Sequence, residues 1–376
     1  MRILISTVLA IGALSAATAG DPFSIVSMTL HDEALSRAHD VELSGTLAFV
    51  PGKDQSLAII DVSDPANPEI IWYKHDSEIP DSETVLPLGD HLLLGTRDFL
   101  SIDISDPGNP KILKKIEGLP AIDKINGMIL VGDHAITANK SGFITAFDVS
   151  DLKNPILFGA FETKDQFQLD KPHDIDRHQD HIIIVDPAGF APPSGKLGIF
   201  KAIENNQLLP VEQWTLQGTL ESEFLIGANR IQVSGSYAIV CGSFSPEGRD
   251  AAAEAGITHL SPAMTVINIS DVTDPKVAAS LPFPDFRGPN GLTLAGKVAF
   301  CAGGQAVAAY DISDPEAPTL IGAQSFPRYK TDAIKSDNYH DLIYRDGLLY
   351  VSAQCDNGFL ILKVEDQNIR KLADSK

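Results

Sequence analysis

Three histidines in this sequence are each followed by an aspartate and then by an apolar stretch. They are His39, His173 and His340, which open the segments "HDVELSGTLAFVPG", "HDIDRHQDHIIIVD" and "HDLIYRDGLLYVSA". A neutral imidazole binds a transition metal through one ring nitrogen while a hydrogen-bond acceptor holds the other. If the fold brings the three imidazoles together, they can bind Fe, Mn, Zn or Cu.

The three histidines occupy one position of a repeated strand, turn and strand unit. Aligning such units on their central turn adds "ETVLPLGDHLLLGT", "NGMILVGDHAITAN", "NRIQVSGSYAIVCG" and "NGLTLAGKVAFCAG". The seven units all begin with polar residues: His39, Glu83, Asn126, His173, Asn229, Asn290 and His340. Two residues later each strand carries an apolar side chain, as alternation against a buried face requires.

A second hairpin completes the repeat and has five clear copies, among them "LAIIDVSDPANPEII" and "VAAYDISDPEAPTLI". At its bend, Pro fixes φ and Asp bonds nearby backbone amides. Four strands per unit, with unit starts 43 to 61 residues apart, are typical of propeller blades, which span about 40 to 50 residues.

We therefore predict an all-β fold, a single seven-bladed β-propeller of four-stranded antiparallel blades. Its first strands should start near residues 39, 83, 126, 173, 229, 290 and 340. The alternative, a pair of β-sandwiches, would not require one repeat at this spacing.

The outer strand of blade 7 can come from either end of the chain. Residues 341–365 supply three strands, and two segments compete for the fourth place: "FSIVSMTL" at 23–30 and "NIRKLA" at 368–373. The first precedes His39 much as other outer strands precede their blades. We predict that this N-terminal strand closes the ring.

The innermost strand of a propeller blade begins at one mouth of the central channel, so the seven polar residues should encircle that mouth. The predicted metal ligands are His39, Glu83, His173 and His340. Asn126, Asn229 and Asn290 would orient water or substrate. Alternatively, the polar groups satisfy exposed backbone and line a wet channel, and the aspartates after the histidines are turn residues that bond their own backbone.

Long loops should return to the same mouth, at residues 242–263 with a predicted helix and at 187–196, and loops of this length on a rigid scaffold usually build a site. Cations and aromatic residues before blades 6 and 7 could hold an anionic or aromatic ligand. They are Phe286, Arg287, Arg328, Tyr329, Lys330, Lys335 and Tyr339. For Lys330 and Lys335 a solvated loop is the alternative. Cys355 falls at this mouth as a soft ligand or nucleophile.

The "IIDVSDPANP" segment and its copies resemble the LVIVD repeat family, which consists of exported β-propeller proteins largely without an assigned activity. Blades 4 and 7 lack the Asp-x-Ser-Asp turn, so the resemblance there rests on the first hairpin. The openings "PHDIDRHQDHIIIVD" and "YHDLIYRDGLLYVSAQ" are similar to those of the selenium-binding protein family, propellers linked to metal-dependent methanethiol oxidation. Carotenoid cleavage oxygenases likewise hold iron with histidines on a propeller axis. The second resemblance implies a metal and no particular substrate.

Residues 1–19 have an early positive charge, an apolar middle and an Ala-Thr-Ala ending, which predicts a signal peptide followed by the propeller at 20–376. The protein should therefore be secreted or periplasmic. With 50 acidic and 29 basic residues the net charge is -21, which argues against nucleic acid and anionic lipid as partners. No later apolar run approaches the roughly 20 residues that an integral membrane helix needs.

The three cysteines lack pair spacing, so no disulfide framework can be inferred, and they are interpreted as small buried hydrophobes. We predict an exported propeller whose channel mouth binds a metal, or a small molecule through a metal. If it is an enzyme, metal-assisted oxidation or hydrolysis is the expected class. The alternative is a non-catalytic scaffold that binds a cell-envelope protein or glycan.

Overall fold

The computed structural model describes residues 20–187, 195–243, 263–285, 287–327 and 338–375. The predicted signal peptide lies outside these residues, as do most of the two long mouth loops and the predicted rim residues Phe286, Arg328, Tyr329, Lys330 and Lys335. In the described part of the chain, no helix is both long and apolar enough to span a membrane.

Seven four-stranded antiparallel sheets form the blades of a β-propeller, which confirms the predicted fold. The strands of the first three blades, preceded by β1, are β1 (Phe23–Leu30); β2 (Glu42–Ser44), β3 (Leu47–Gly52), β4 (Ser56–Asp61), β5 (Glu69–His75); β6 (Thr84–Leu88), β7 (His91–Gly95), β8 (Phe99–Asp103), β9 (Lys111–Ile116); β10 (Ile125–Val131), β11 (His134–Asn139), β12 (Phe143–Asp148), β13 (Ile156–Glu162).

Blades 4 to 7 follow in the same order, each from its inner to its outer strand. Blade 4 also carries a small hairpin, β17 with β18, between its third and fourth strands. The strands are β14 (Asp174–His178), β15 (His181–Asp186), β16 (Gly195–Lys201), β17 (Ile203–Glu204), β18 (Gln207–Leu208), β19 (Thr215–Ser222); β20 (Ala228–Ser234), β21 (Tyr237–Gly242), β22 (Ala263–Asn268), β23 (Lys276–Pro282); β24 (Gly291–Ala295), β25 (Val298–Gly303), β26 (Ala306–Asp311), β27 (Thr319–Ser325); β28 (Tyr339–Arg345), β29 (Leu348–Ala353), β30 (Gly358–Val364). The described helices are α1 (Lys164–Phe167) and α2 (Gln367–Ala373), with short 3-10 turns at Val211–Gln213 and Glu223–Leu225.

The hydrophobic core lies between neighbouring blades. Phe49 and Leu57 of blade 1, for example, pack in one cluster with Leu92 and Leu94 of blade 2. The middle strands are therefore apolar along almost their whole length, because each sheet is covered on both faces. The outer strands, such as β9, are only partly buried.

The repeated Asp/Ser/Pro turn has a simple local cause. Asp61 accepts the backbone N–H of Ser63 at 2.8 Å, and Asp64 accepts that of Ala66 at 3.0 Å. The first of these bonds recurs at Asp103, Asp148, Asn268 and Asp311. Such side-chain bonds replace backbone partners at the bend, so the same short sequence builds the same turn in five blades.

The N-terminal strand β1 closes the ring, as predicted. It pairs antiparallel with β30, so blade 7 has the order β1, β30, β29, β28. The competing segment at 368–373 lies in α2 instead. Asp366 caps this helix by accepting the N–H groups of Asn368 and Ile369.

Replacing Phe23 with alanine tests this closure. Phe23 is fully buried in β1 and its ring meets that of Phe300 edge-on at 6.5 Å. We expect Phe23→Ala to lower the free energy of unfolding by about 3 to 5 kcal/mol, because it leaves a cavity between blades. Urea denaturation gives the measurement. Phe158→Ala, at a side chain that is 39% exposed, is the control and should change stability by less than about 1 kcal/mol; equal effects would contradict the assignment.

Candidate functional site

The seven polar first residues meet at one end of the channel, and we call them the mouth ring: His39, Glu83, Asn126, His173, Asn229, Asn290 and His340. In blades 3, 5 and 7 the ring residue lies at a β-bulge, where the pairing of inner and second strands shifts register. In blades 1, 2, 4 and 6 its N–H donates to the second strand just before the inner strand begins. A bulge re-aims a side chain, so two different local geometries bring the seven polar residues to the same end of the channel.

Side chains of the mouth ring contact one another across blade boundaries. Nε2 of His39 lies 3.0 Å from Oε2 of Glu83. Asn126 Nδ2 donates to the same carboxylate oxygen at 3.0 Å and lies 3.4 Å from Nε2 of His173. On the far side, Asn229 Nδ2 donates to Asn290 Oδ1 at 2.8 Å. The structure therefore brings these predicted residues into contact with one another across blade boundaries.

Each histidine of the ring is oriented by a backbone carbonyl of the next blade. Nδ1 of His39 lies 2.7 Å from the carbonyl oxygen of Glu83, Nδ1 of His173 lies 3.0 Å from that of Asn229, and Nδ1 of His340 lies 3.0 Å from that of His39. A carbonyl only accepts, so Nδ1 must carry the proton. In the neutral ring Nε2 then keeps its lone pair.

Three acceptor atoms of the ring are buried without a hydrogen-bond partner in the protein: His39 Nε2, Glu83 Oε1 and Asn126 Oδ1. All three residues are fully buried. In addition, the lone pair of His39 Nε2 faces a carboxylate oxygen of Glu83 at 3.0 Å, which is unfavourable unless a cation or proton intervenes. Each such group costs about 1 to 3 kcal/mol, so this part of the ring has the features of a site for a donor or cation.

Burial fixes the charge states of the ring. It lowers the pKa of His39, His173 and His340 well below the usual value, with smaller contributions from nearby cations. Burial alone would raise the pKa of Glu83, but Lys53 and Lys140 hold it below its usual value. The ring therefore presents neutral imidazoles beside a carboxylate.

Lys53 and Lys140 are functional candidates that sequence reasoning missed. Lys53 Nζ lies 3.6 Å from Glu83 Oε2. Burial lowers the pKa of both lysines, that of Lys140 to about 8. Each lysine directly follows the second strand of its blade, a position that returns to the mouth, and this signal could have found them.

The aspartates that follow the histidines point into the channel below the ring, where they surround Arg230. Arg230 Nη2 lies 3.5 Å from Asp341 and 3.8 Å from Asp40. Burial would lower the pKa of Arg230, but Asp341, Asp174 and Asp40 raise it above its usual value. Its Nη1 donates to the carbonyl of Asn126 at 3.5 Å, so the side chain from blade 5 reaches across to blades 1, 3 and 7.

The aspartates also tie neighbouring inner strands together. Asp40 Oδ2 accepts the N–H of Val85 at 3.2 Å, and Asp174 Oδ2 accepts that of Ile231 at 2.9 Å. Asp40 Oδ1 does accept the next N–H of its own chain, from Val41. The expectation of a local turn bond thus holds for Oδ1 of Asp40. It does not account for Oδ2, which binds the backbone of blade 2.

Two glycines make room for these aspartates. A Cβ on Gly127 would lie 2.8 Å from the Cα of Asp174, and one on Gly291 would lie 2.6 Å from the Cα of Asp341. The inner strands of adjacent blades approach too closely there for any side chain. This close approach explains why a glycine follows the ring asparagine in blades 3 and 6.

Arg230 and these aspartates line a cavity of about 450 Å³ whose wall also includes Glu42, Asp176 and Gln232. Burial, with a contribution from Asp40, raises the pKa of Glu42 to about 8. The apolar residues predicted two positions after the ring are buried between blades, except Met128, which is partly buried.

The remaining predicted residues are distributed differently. Arg287 is held by Asp285 through two hydrogen bonds of 3.0 and 2.7 Å. Tyr339 is buried at the start of β28, and its ring centroid lies 6.4 Å from that of Phe326. It therefore lies in the core and not on the expected rim, because it pairs with Ala353 of β29. Cys355 is partly buried just after β29.

A family model for the LVIVD repeat matches residues 36–72, which cover blade 1 and its Asp/Ser/Pro turn. Blade 1 is therefore similar to an LVIVD repeat, and we call the chain the LVIVD propeller after this repeat. Among curated proteins none matches the sequence. The Neurospora crassa Pan2 WD40 domain is similar in structure to this LVIVD propeller, with a TM-score of 0.62 and 9% identity over 94% of this chain and 98% of that one. Identity this low shows the fold alone.

Within the described residues of the LVIVD propeller, no group of three or more His, Cys, Asp or Glu side chains is arranged so that it could hold a metal ion. His39 contacts Glu83, whereas the ring of His340 lies against that of His39 with centroids 3.8 Å apart. Asn126 lies between Glu83 and His173. Three of the four predicted ligands, His340, His39 and Glu83, are thus adjacent around the ring, and Asn126 separates His173 from them. The four side chains do not converge on one point.

Arg230→Met should destabilise the LVIVD propeller by about 3 to 5 kcal/mol at pH 7, because it leaves buried carboxylates without a counter-charge. The loss should shrink as pH falls, since protonated aspartates need no partner. Urea unfolding at pH 5 and pH 7 measures both effects. Arg97→Met, at a side chain that is 50% exposed, should cost under about 1 kcal/mol, and a similar loss in both variants would contradict this role.

The raised pKa of Glu42 predicts the sign of one pH dependence of stability in this propeller. Its pKa in the folded protein, about 8, exceeds its usual 4.5, so the folded state binds the extra proton and stability is lost as pH rises between these values. Glu42→Gln should remove roughly 2 to 4 kcal/mol of this loss. The measurement is unfolding free energy from pH 5 to 8.5, and the exposed Glu69→Gln should keep the wild-type slope. An unchanged slope in Glu42→Gln would refute the assignment.

Proposed function

We propose that the channel mouth of this LVIVD propeller binds a divalent transition metal through His39, Glu83, His173 and His340, and that the protein acts in the cell envelope or outside the cell. The observation that carries the proposal is the group of three buried acceptor atoms, on His39, Glu83 and Asn126, that have no hydrogen-bond partner in the protein. Buried acceptors are normally satisfied, and a cation satisfies several at once.

The donor set fits a metal of intermediate softness. Three imidazoles with Nδ1 bound to a carbonyl have the orientation usual for metal-binding histidines, with Nε2 as the donor. One carboxylate completes a set suited to Fe, Mn, Zn or Cu. Joint coordination requires rotation of His340 away from His39, because the two rings now lie against each other.

The surrounding charges favour an anionic ligand beside the metal. Lys53, Lys140 and Arg230 supply positive charge around Glu83 and the neutral imidazoles. Such an arrangement repels a bare cation and attracts a cation that carries an anion. A bound metal would supply Lewis acidity toward that anion, and Lys53 with Lys140 would orient it.

A non-catalytic binding propeller is the second candidate. On the outer strand of blade 3, Ile156, Leu157 and Phe158 are 54%, 38% and 39% exposed. An apolar strand edge of this kind can receive a partner such as an envelope protein. This second candidate needs no metal, so metal content distinguishes the two candidate functions.

Metal content of the purified mature protein tests the proposal. After incubation with Fe, Mn, Zn or Cu and removal of excess metal, elemental analysis should find one equivalent of one metal per chain. His39→Ala and His173→Ala should each weaken binding at least about tenfold. A protein that stays free of all four metals would refute the proposal and favour the binding propeller.

His178→Ala is the matched control, because His178 is the last residue of the strand that His173 directly precedes, and is also buried. It should keep wild-type metal content. Thermal unfolding of each variant shows whether it is folded. Equal metal loss in the control and in folded His173→Ala would also overturn the proposal.

A further inference from the structure

Cys241 and Cys301 bring their sulfur atoms together between two blades. Cys241 lies on β21 of blade 5, and Cys301 lies on β25 of blade 6. Their Sγ atoms are 3.1 Å apart, and neither residue is exposed. Non-bonded carbon atoms pack at about 3.5 to 4.0 Å, and sulfur is larger than carbon. The two thiols are thus closer than packing alone favours.

The surroundings of the pair are apolar. Met264, Val266 and Leu292 belong to the same buried cluster. Burial and the neighbouring Cys301 raise the pKa of the Cys241 thiol well above its usual value. A thiol kept protonated and away from solvent is inert to exchange, so any reaction of this pair belongs to folding, before blades 5 and 6 close on each other.

The two cysteines also bracket a long stretch of chain. Residues 242–300 lie between them and include the blade 5 insertion at 244–262, which follows Cys241 almost directly. A bond between the sulfurs would close this loop. In the chain-entropy view, closing a long loop restricts the unfolded state and stabilises the folded one.

We propose that Cys241 and Cys301 form a disulfide that links blades 5 and 6 when the chain folds in the presence of a disulfide oxidant. The thiolate of one cysteine attacks the disulfide of an exchange partner, which leaves one partner thiol and a mixed disulfide. The second cysteine then attacks the mixed disulfide and releases the other partner thiol. Two thiols are oxidised to one disulfide, and the partner disulfide is reduced to two thiols.

Oxidative refolding tests the proposal without any variant. The denatured, reduced chain is refolded in a mixture of oxidised and reduced glutathione, and thiols are then titrated in denaturant. The titre should fall from the three thiols of the reduced chain to one, and the intact mass should be about 2 Da lower. Peptide mapping should join the peptides that contain residues 241 and 301. Three thiols after refolding, or a bond that involves Cys355, would overturn the proposal.

Cysteine variants distinguish the proposed disulfide from two thiols that are only packed against each other. Cys355→Ser should still lose two thiols, whereas Cys301→Ser should lose none. In the wild type, adding a reductant should lower the melting temperature by roughly 5 °C, and it should not change that of Cys301→Ser. If Cys301→Ser fails to fold, Cys301→Ala replaces it as a smaller perturbation. A reductant effect of equal size in a folded variant would contradict the link.

Discussion

The mouth of this propeller depends on one buried cation. Arg230 extends from blade 5 across the channel and meets Asp40 and Asp341 of blades 1 and 7. Burial and the contact with Asp40 raise the pKa of Asp341 well above its usual value, while Asp341 and Arg230 keep that of Asp40 low. Arg230 thus compensates the acidic channel wall, and the same aspartates fix the inner strands that carry the histidines above.

This arrangement makes the site a property of the closed ring. No single blade holds a complete set of contacts. Each histidine is oriented by a backbone carbonyl of the following blade, and each carboxylate interacts with a polar group of a different blade. The orientation of His340, for example, comes from the carbonyl of His39, at the opposite end of the chain. Rigid sheets position the donors, which is what a preorganised binding site requires.

The repeat made the fold and the mouth ring predictable. Seven copies of one register place His39, Glu83 and the other first residues at equivalent points, and equivalence alone brings them together. Distances across the channel were not predictable, since they depend on side-chain length and direction. Arg230 occupies a position where other blades carry Asp, Thr or Gly, and nothing local indicates that its guanidinium crosses the axis. Local sequence likewise could not decide between β1 and 368–373, because the choice depends on the long-range pairing of β1 with β30.

The pairing of β1 with β30 joins the two ends of the described chain in one blade. The ring can therefore close only after its last strands have been synthesised. Until then both the free edge of β1 and the open faces of blades 1 and 6 remain exposed, and an incomplete chain has no closed state to fold into. The late pairing of β1 with β30 thus separates an incomplete chain, which exposes strand edges and apolar faces, from the closed propeller.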